Sequence, residues 1–351
     1  MFYQFARPQD ETVSTMGEPT VATRALPRNF EEKDAGLFKP NLSYDVPASQ
    51  ILQLENITAR ANGWLYQGHT LLKESFAGDR QLSVMRRLKS LGKLYRLPVE
   101  RISKGAWITD NWSRNYFHWL TDAMPRLHLA MEQDRDLHLI LPFSFQFVPF
   151  VEQSLLPFRL GSTTFIPEGK TFTIEKLALP AHAAATGNYN ERLIRSVAER
   201  YRLAFGTERK PDRRIYISRS KAPVRRVLNE DEIVPVLSRH GFEIIHGESL
   251  SFSEQVRLLS ECTMVAGPHG AGFVNMLFMA PGGSILEIHP RDTKTNNCYF
   301  TLASALSHPY HYMLADTAST HLESHHDNMT VDPGELDRNL ECMCSMARGF
   351  V

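Results

Sequence analysis

Apolar and polar positions in this chain follow two rhythms. Between about Tyr44 and Glu74, short apolar runs such as Ile51-Leu-Gln-Leu and Gly63-Trp-Leu-Tyr are broken by Asn and Gly. That spacing predicts strands joined by tight turns, a small β-rich element. Ala106-Trp-Ile-Thr reads as a strand, and Asn115 to Met131 repeats apolar residues every three or four positions, as an amphipathic helix does. Pro125 should kink that helix, because it lacks the backbone N–H an interior position needs. Leu137-His-Leu-Ile-Leu reads as a further strand, and Asn188 to Phe205 as a strongly amphipathic helix closed by Gly206.

The second half is more regular. Arg214-Ile-Tyr-Ile-Ser, Phe242-Glu-Ile-Ile, Thr263-Met-Val-Ala and Ser284-Ile-Leu-Glu-Ile alternate with helical patterns. Asn229 before acidic residues marks one helix start, and Ser251 with Glu254 makes a capping box at another. Parallel strands with crossover helices follow, so a doubly wound sheet is expected from about Arg209 to Tyr312. The predicted division is an irregular lead-in over 1–30 and a β-rich plus Rossmann-like domain over 31–186. A connecting helix over 187–208, a second Rossmann-like domain over 209–320 and a tail over 321–351 with a short helix between Gly334 and Arg348 complete it.

Composition narrows the class. At 351 residues, 42% hydrophobic and 22% charged, the chain is an ordinary globular protein of two-domain size. Basic and acidic side chains balance at 39 each, so no global field holds a nucleic acid, and any anion must be bound locally. Four cysteines are too few for a disulfide framework, and Cys342 and Cys344 do not have zinc spacing. With neither a signal-peptide pattern nor an eighteen-residue apolar run, a cytoplasmic protein is expected, at most peripheral to the inner face of a membrane through the apolar patch from Leu139 to Pro149.

Two motifs suggest chemistry. In Val265-Ala-Gly-Pro-His-Gly-Ala-Gly-Phe-Val-Asn275 a strand enters a glycine-rich turn and a helix is expected to leave it. Glycines admit a ligand close to the backbone, and amides at a helix start favour an anion. The spacing fits neither the dinucleotide fingerprint nor the Walker loop, and by itself it equally suits a plain tight turn with a solvated His269. Asn115-Tyr-Phe-His-Trp-Leu-Thr-Asp places His118 and Asp122 on one helix face, where a carboxylate beside an imidazole makes a usable general base or merely a surface pair. His308, His311, His321, His325 and His326 raise a zinc hydrolase as a rival, although their spacing matches no closed metal pattern. A nucleotide-binding module without chemistry is the other alternative.

Together, the His118 and Asp122 segment with Pro125-Arg-Leu, and the Gly-Pro-His-Gly-Ala-Gly turn, resemble family 61 glycosyltransferases over about Trp107 to Pro290. The resemblance implies a GT-B architecture of two facing Rossmann-like domains. It implies inverting transfer from a nucleotide sugar, such as a UDP-sugar, to a glycan hydroxyl without a catalytic metal. Because the sequence departs from animal and plant members in its expected lack of a transmembrane anchor and of paired cysteines, a bacterial-type role in capsule, exopolysaccharide or lipopolysaccharide biosynthesis is expected. Carried onto this chain, it makes Asp122 the base and His118 the residue orienting it or the acceptor, with Asn115 and Arg126 in support. Arg219 of Tyr216-Ile-Ser-Arg219, with His269, Gly270, Ala271, Gly272 and Asn275, would hold the donor diphosphate. Glu287 would accept hydrogen bonds from donor hydroxyls.

Overall fold

The computed structural model describes residues 12–77, 97–291, 296–317 and 327–348, and the chain divides into two compact α/β units. The first takes residues 1–20 and 47–183, the second 21–46 and 184–351.

In the first unit the strands are β1 (Thr12–Met16), β2 (Ser49–Arg60), β3 (Leu65–Gln67), β4 (Thr70–Leu71), β5 (Val99–Ala106), β6 (His138–Pro142), β7 (Ser162–Ile166) and β8 (Thr171–Pro180). They form one eight-stranded sheet in the order β4-β3-β2-β8-β5-β6-β7, with β1 also on β2. The β2 strand meets β8 antiparallel, whereas β8, β5, β6 and β7 run parallel. Alternate residues of these strands, among them Leu54, Ile57, Ile174 and Leu177, close over Trp107 and Ile140 in a buried core. Within the expected irregular lead-in, Thr12–Met16 and Thr20–Thr23 are strands. Thr12–Met16 pairs antiparallel with β2, and because its side chains stay largely exposed, ladder hydrogen bonds rather than apolar burial hold it there.

The helix expected from Asn115 to Met131 comes in three pieces. Asn115 caps it, its side chain accepting from the Phe117 amide, so this residue serves the helix start. A helical turn at Tyr116–His118 passes into a π-turn, Trp119–Ala123, and then into Met124–Gln133. Pro125 cannot donate to the Thr121 carbonyl and would crowd it, and the wider π-turn sits where that conflict falls, instead of a simple kink.

The second unit holds β9 (Arg213–Ile217), β10 (Phe242–Ile245), β11 (Cys262–Pro268), β12 (Ser284–Pro290), β13 (Tyr310–Thr317) and β14 (Met329–Thr330). Their order is β10-β9-β11-β12-β13-β14, and the first five run parallel. Helices Glu230–Arg239, Phe252–Ser260 and Cys298–Ala305 lie in the crossovers, the second opened by the Ser251 and Glu254 capping box. Tyr216, Leu237, Met264, Leu286 and Met313 share a core with Leu336, Leu340 and Met343 of Pro333–Arg348. Residues 21–46, expected in part with the first domain, belong to this unit. Arg24 donates to Asn188 (2.9 Å), and Asn29 to the Tyr312 carbonyl (2.7 Å). The chain leaves β9 for β10 on one side and returns to β11 on the other. The gap between the ends of β9 and β11 is therefore the topological switch point, where open α/β sheets bind ligands. No helix among the described residues is long and apolar enough to cross a membrane, and all four cysteines are free.

Candidate active site

The second unit gathers polar side chains at that switch point. Ser218 and Arg219 follow β9, while His269 and Gly270 follow β11. The Arg219 guanidinium donates to the carbonyls of Val224 (3.0 Å) and Arg225 (3.2 Å). It lies across Gly270 so closely that a Cβ there would stand 2.2 Å from Nη1. Gly270 itself is extended, at φ 170°, so close approach rather than backbone strain demands glycine. The expected helix after the turn is a 3₁₀ segment, Ala271–Phe278, whose first bond runs from the Phe273 amide to the Gly270 carbonyl. The amides of Gly270, Ala271 and Gly272 precede that bond, as unpaired donors do at a helix start. Asn275 sits deeper. Its fully buried amide donates to Gln255 (2.6 Å), fixing the segment to Phe252–Ser260.

Behind the turn, the His269 ring contacts Glu287 on β12, Nδ1 to Oε1, at 2.5 Å, and the Tyr310 hydroxyl donates to the other carboxylate oxygen at 2.7 Å. Tyr299 donates to the Gly270 carbonyl (2.6 Å), and its ring meets His269 edge-on. Burial lowers the His269 pKa more than Glu287 raises it. Burial alone would lift Glu287, yet His269, His289 and Tyr310 together hold it below the usual carboxylate range. The pair is thus a neutral imidazole donating Nδ1–H to a carboxylate, which leaves Nε2 its lone pair.

His269, Glu287 and His289 are also the one group of three such side chains among the described residues with potential metal-binding atoms within 4.8 Å of one another. The 2.5 Å contact is a hydrogen bond, since two ligands on a tetrahedral zinc stand about 3.4 Å apart at the usual bond lengths. His308 and His311 join no such group; both are buried, each against a backbone carbonyl. His321, His325 and His326 lie outside the described residues.

In the first unit, His118 Nδ1 meets Asp122 Oδ2 at 2.8 Å, the spacing that the i, i+4 pattern predicts. Asp122 is buried in the π-turn, while His118 is partly open. Arg126 is wholly buried and donates Nε–H to the Pro180 carbonyl (2.7 Å), so it supports the site from within the core. Its charge acts on both Asp122 and Asp110.

Asp110, His182 and Trp112 were not singled out from the sequence. The Asp110 Oδ1 atom accepts from the amides of Trp112 (2.8 Å) and Ser113 (3.1 Å), and Oδ2 lies 3.0 Å from His182 Nε2. Burial would raise the Asp110 pKa, but His182 and the Arg126 guanidinium hold it well below the usual carboxylate range. The Trp112 ring packs on His118 at 5.1 Å between centroids.

These features define an α/β protein with a glycine-rich turn at a sheet switch point in one unit and a helix-borne imidazole and carboxylate pair in the other. Comparison with known proteins agrees. Residues 116–286, a span that includes His118, Asp122 and the glycine-rich turn, match the family model described as Glycosyltransferase 61. The chain is 29% identical over 124 residues to the EGF domain-specific O-linked N-acetylglucosamine transferase of Drosophila melanogaster, covering 33% of this chain and 23% of that one. It is 32% identical over 108 residues to the Protein O-linked-mannose beta-1,4-N-acetylglucosaminyltransferase 2 of Xenopus laevis, covering 30% and 16%. With the Xylan glycosyltransferase MUCI21 of Arabidopsis thaliana it shares 30% over 105 residues, covering 29% and 21%. The matched stretches span less than a quarter of the length of these curated relatives.

Proposed function

We propose that this chain is an inverting glycosyltransferase of GT-B type, moving a sugar from a nucleotide-diphosphate donor to a glycan hydroxyl without a catalytic metal. The observation that carries the reading is the His118 and Asp122 pair within the family-matched stretch. Asp122 is buried with Oδ2 engaged, and His118 Nε2 has no protein partner among the described residues, so we reverse the roles expected from the sequence. Asp122 orients the ring and stabilises its charge, and Nε2 takes the acceptor proton. The freed oxygen attacks the anomeric carbon opposite the departing diphosphate, which gives inversion. Charge that develops on the leaving phosphate is met by Arg219 and by the amides of Gly270, Ala271 and Gly272. His269, backed by Glu287, takes a proton at Nε2 as the anion arrives and donates that N–H to it, and Tyr299 and Asn275 keep the turn in shape. Because two of the relatives are named for O-linked mannose and for xylan, we place the acceptor among glycans and the process in polysaccharide or glycoconjugate assembly.

A thermal-shift screen with nucleoside diphosphates, followed by transfer assays with the nucleotide sugars that stabilise the protein, tests this reading. Arg219→Ala and His269→Ala are expected to weaken diphosphate binding. His118→Gln and Asp122→Asn should keep that binding and lose turnover. Unaltered turnover in His118→Gln would sink the mechanism.

A further inference from the structure

We propose that Trp112, together with His182 held by Asp110, forms an acceptor subsite that seats a pyranose ring beside His118. The inference deepens the glycosyltransferase reading above and rests on it. Among the four tryptophans, Trp107 and Trp119 are fully buried and Trp64 is partly so, whereas Trp112 is 41% exposed. Single exposed apolar side chains are common, but this indole is held against the imidazole assigned as the base. Its backbone is held as well, because the Trp112 amide is fixed by Asp110 Oδ1.

Asp110 holds two neighbours at once. Through Oδ1 it sets the turn that carries Trp112, and through Oδ2 it faces the Nε2 edge of His182. The His182 ring is about one-third exposed, and its Nδ1 has no partner among the described residues. A pyranose offers one face of C–H bonds with hydroxyls around its rim. The C–H face matches the indole, and a rim hydroxyl can bond to His182 Nδ1. A ring seated on Trp112 brings a further hydroxyl to the imidazole against which Trp112 packs, the one assigned to remove its proton. Positioning of this kind lowers the barrier by fixing the nucleophile before reaction. Asp110 acts through His182 and Trp112 and is a positioning residue.

Tryptophan emission of the whole protein, titrated with methyl α-mannoside, methyl β-xyloside and methyl β-glucoside, reads the subsite without turnover. Wild-type protein is expected to give a saturable change with at least one glycoside, absent in Trp112→Phe. His182→Gln should weaken that affinity about tenfold, the worth of one good hydrogen bond to a sugar hydroxyl. Asp110→Asn keeps an oxygen for the turn but faces His182 with an amide. It should weaken binding likewise and change the ring tautomer seen by 15N spectroscopy, in a protein that stays folded with a lowered melting temperature. In transfer assays Trp112→Ala and His182→Gln should raise the acceptor KM and lower kcat, with the donor KM unchanged, the mark of lost acceptor positioning. No saturable change in wild-type protein, an equal change in Trp112→Phe, or an acceptor KM within about twofold of wild type in both variants overturns the subsite. Glycoside binding through Trp112 without transfer from any nucleotide sugar would instead overturn the glycosyltransferase reading and leave a carbohydrate site standing.

Discussion

A general base needs a proton-accepting atom open to substrate and a partner that keeps it oriented. At residue scale the proposed mechanism divides these tasks between His118, partly open, and Asp122, buried. His118→Gln should therefore lower kcat by about a hundredfold to ten-thousandfold, the usual range for losing a positioned base. Added imidazole should restore part of the rate in His118→Gly and none in Asp122→Asn. Rescue of the aspartate variant alone would return the base to Asp122. The pair was legible because four residues on a helix is one turn. Asp110 and His182 were not, since the structure joins a turn after β5 to a residue just beyond β8, and no local spacing announces that meeting.

At the scale of elements, the strands of the second unit could be read directly, because strands buried on both faces are written as continuous apolar runs. Their order could not, since β10-β9-β11 depends on which side each crossover takes. The order is what turns Arg219 and Gly270, far apart in sequence, into neighbours. Gly270→Ala should push the Arg219 guanidinium aside and weaken nucleoside diphosphate binding about tenfold or more, with little loss of stability, because the crowded group is the end of a flexible side chain. Gly267→Ala differs. Its Cβ would stand 3.0 Å from the Ile217 backbone carbonyl, so the β9 to β11 packing itself must shift, and melting temperature should fall. Equal diphosphate affinity in Gly270→Ala and wild type, measured by calorimetry, would remove Arg219 from the donor site.

For the whole molecule, the buried histidines set how stability depends on pH. Burial lowers both His308 and His311 to about 4, and each makes a single hydrogen bond to a carbonyl, of Met276 and of Ile285. An unfolded imidazole binds its proton near the ordinary value of about 6.5. Between those values the unfolded chain holds more protons than the folded one, so stability must fall as pH drops from about 6.5 to 4. Each histidine contributes at most about 3.5 kcal/mol across that window, at roughly 1.4 kcal/mol per unit of pKa. Below it, Asp110 and Glu287, both held ionised in the fold, are protonated only at lower pH than in the unfolded chain, and their contribution drains away in turn. Urea melts of the second unit at pH 7.5, 6, 5 and 4.5 should show a steepening loss of stability, and His308→Asn with His311→Asn should flatten it. A wild-type midpoint unchanged from pH 7.5 to 5 would mean that these two rings reach water in the folded protein. Protonation of either ring keeps its bond to the carbonyl but buries a charge and a second N–H with no partner, between the 3₁₀ segment, β12 and the strand and loop around Tyr310, so acid loosening should begin beside the proposed donor turn. Diphosphate affinity is therefore expected to decline over the same window, ahead of global unfolding.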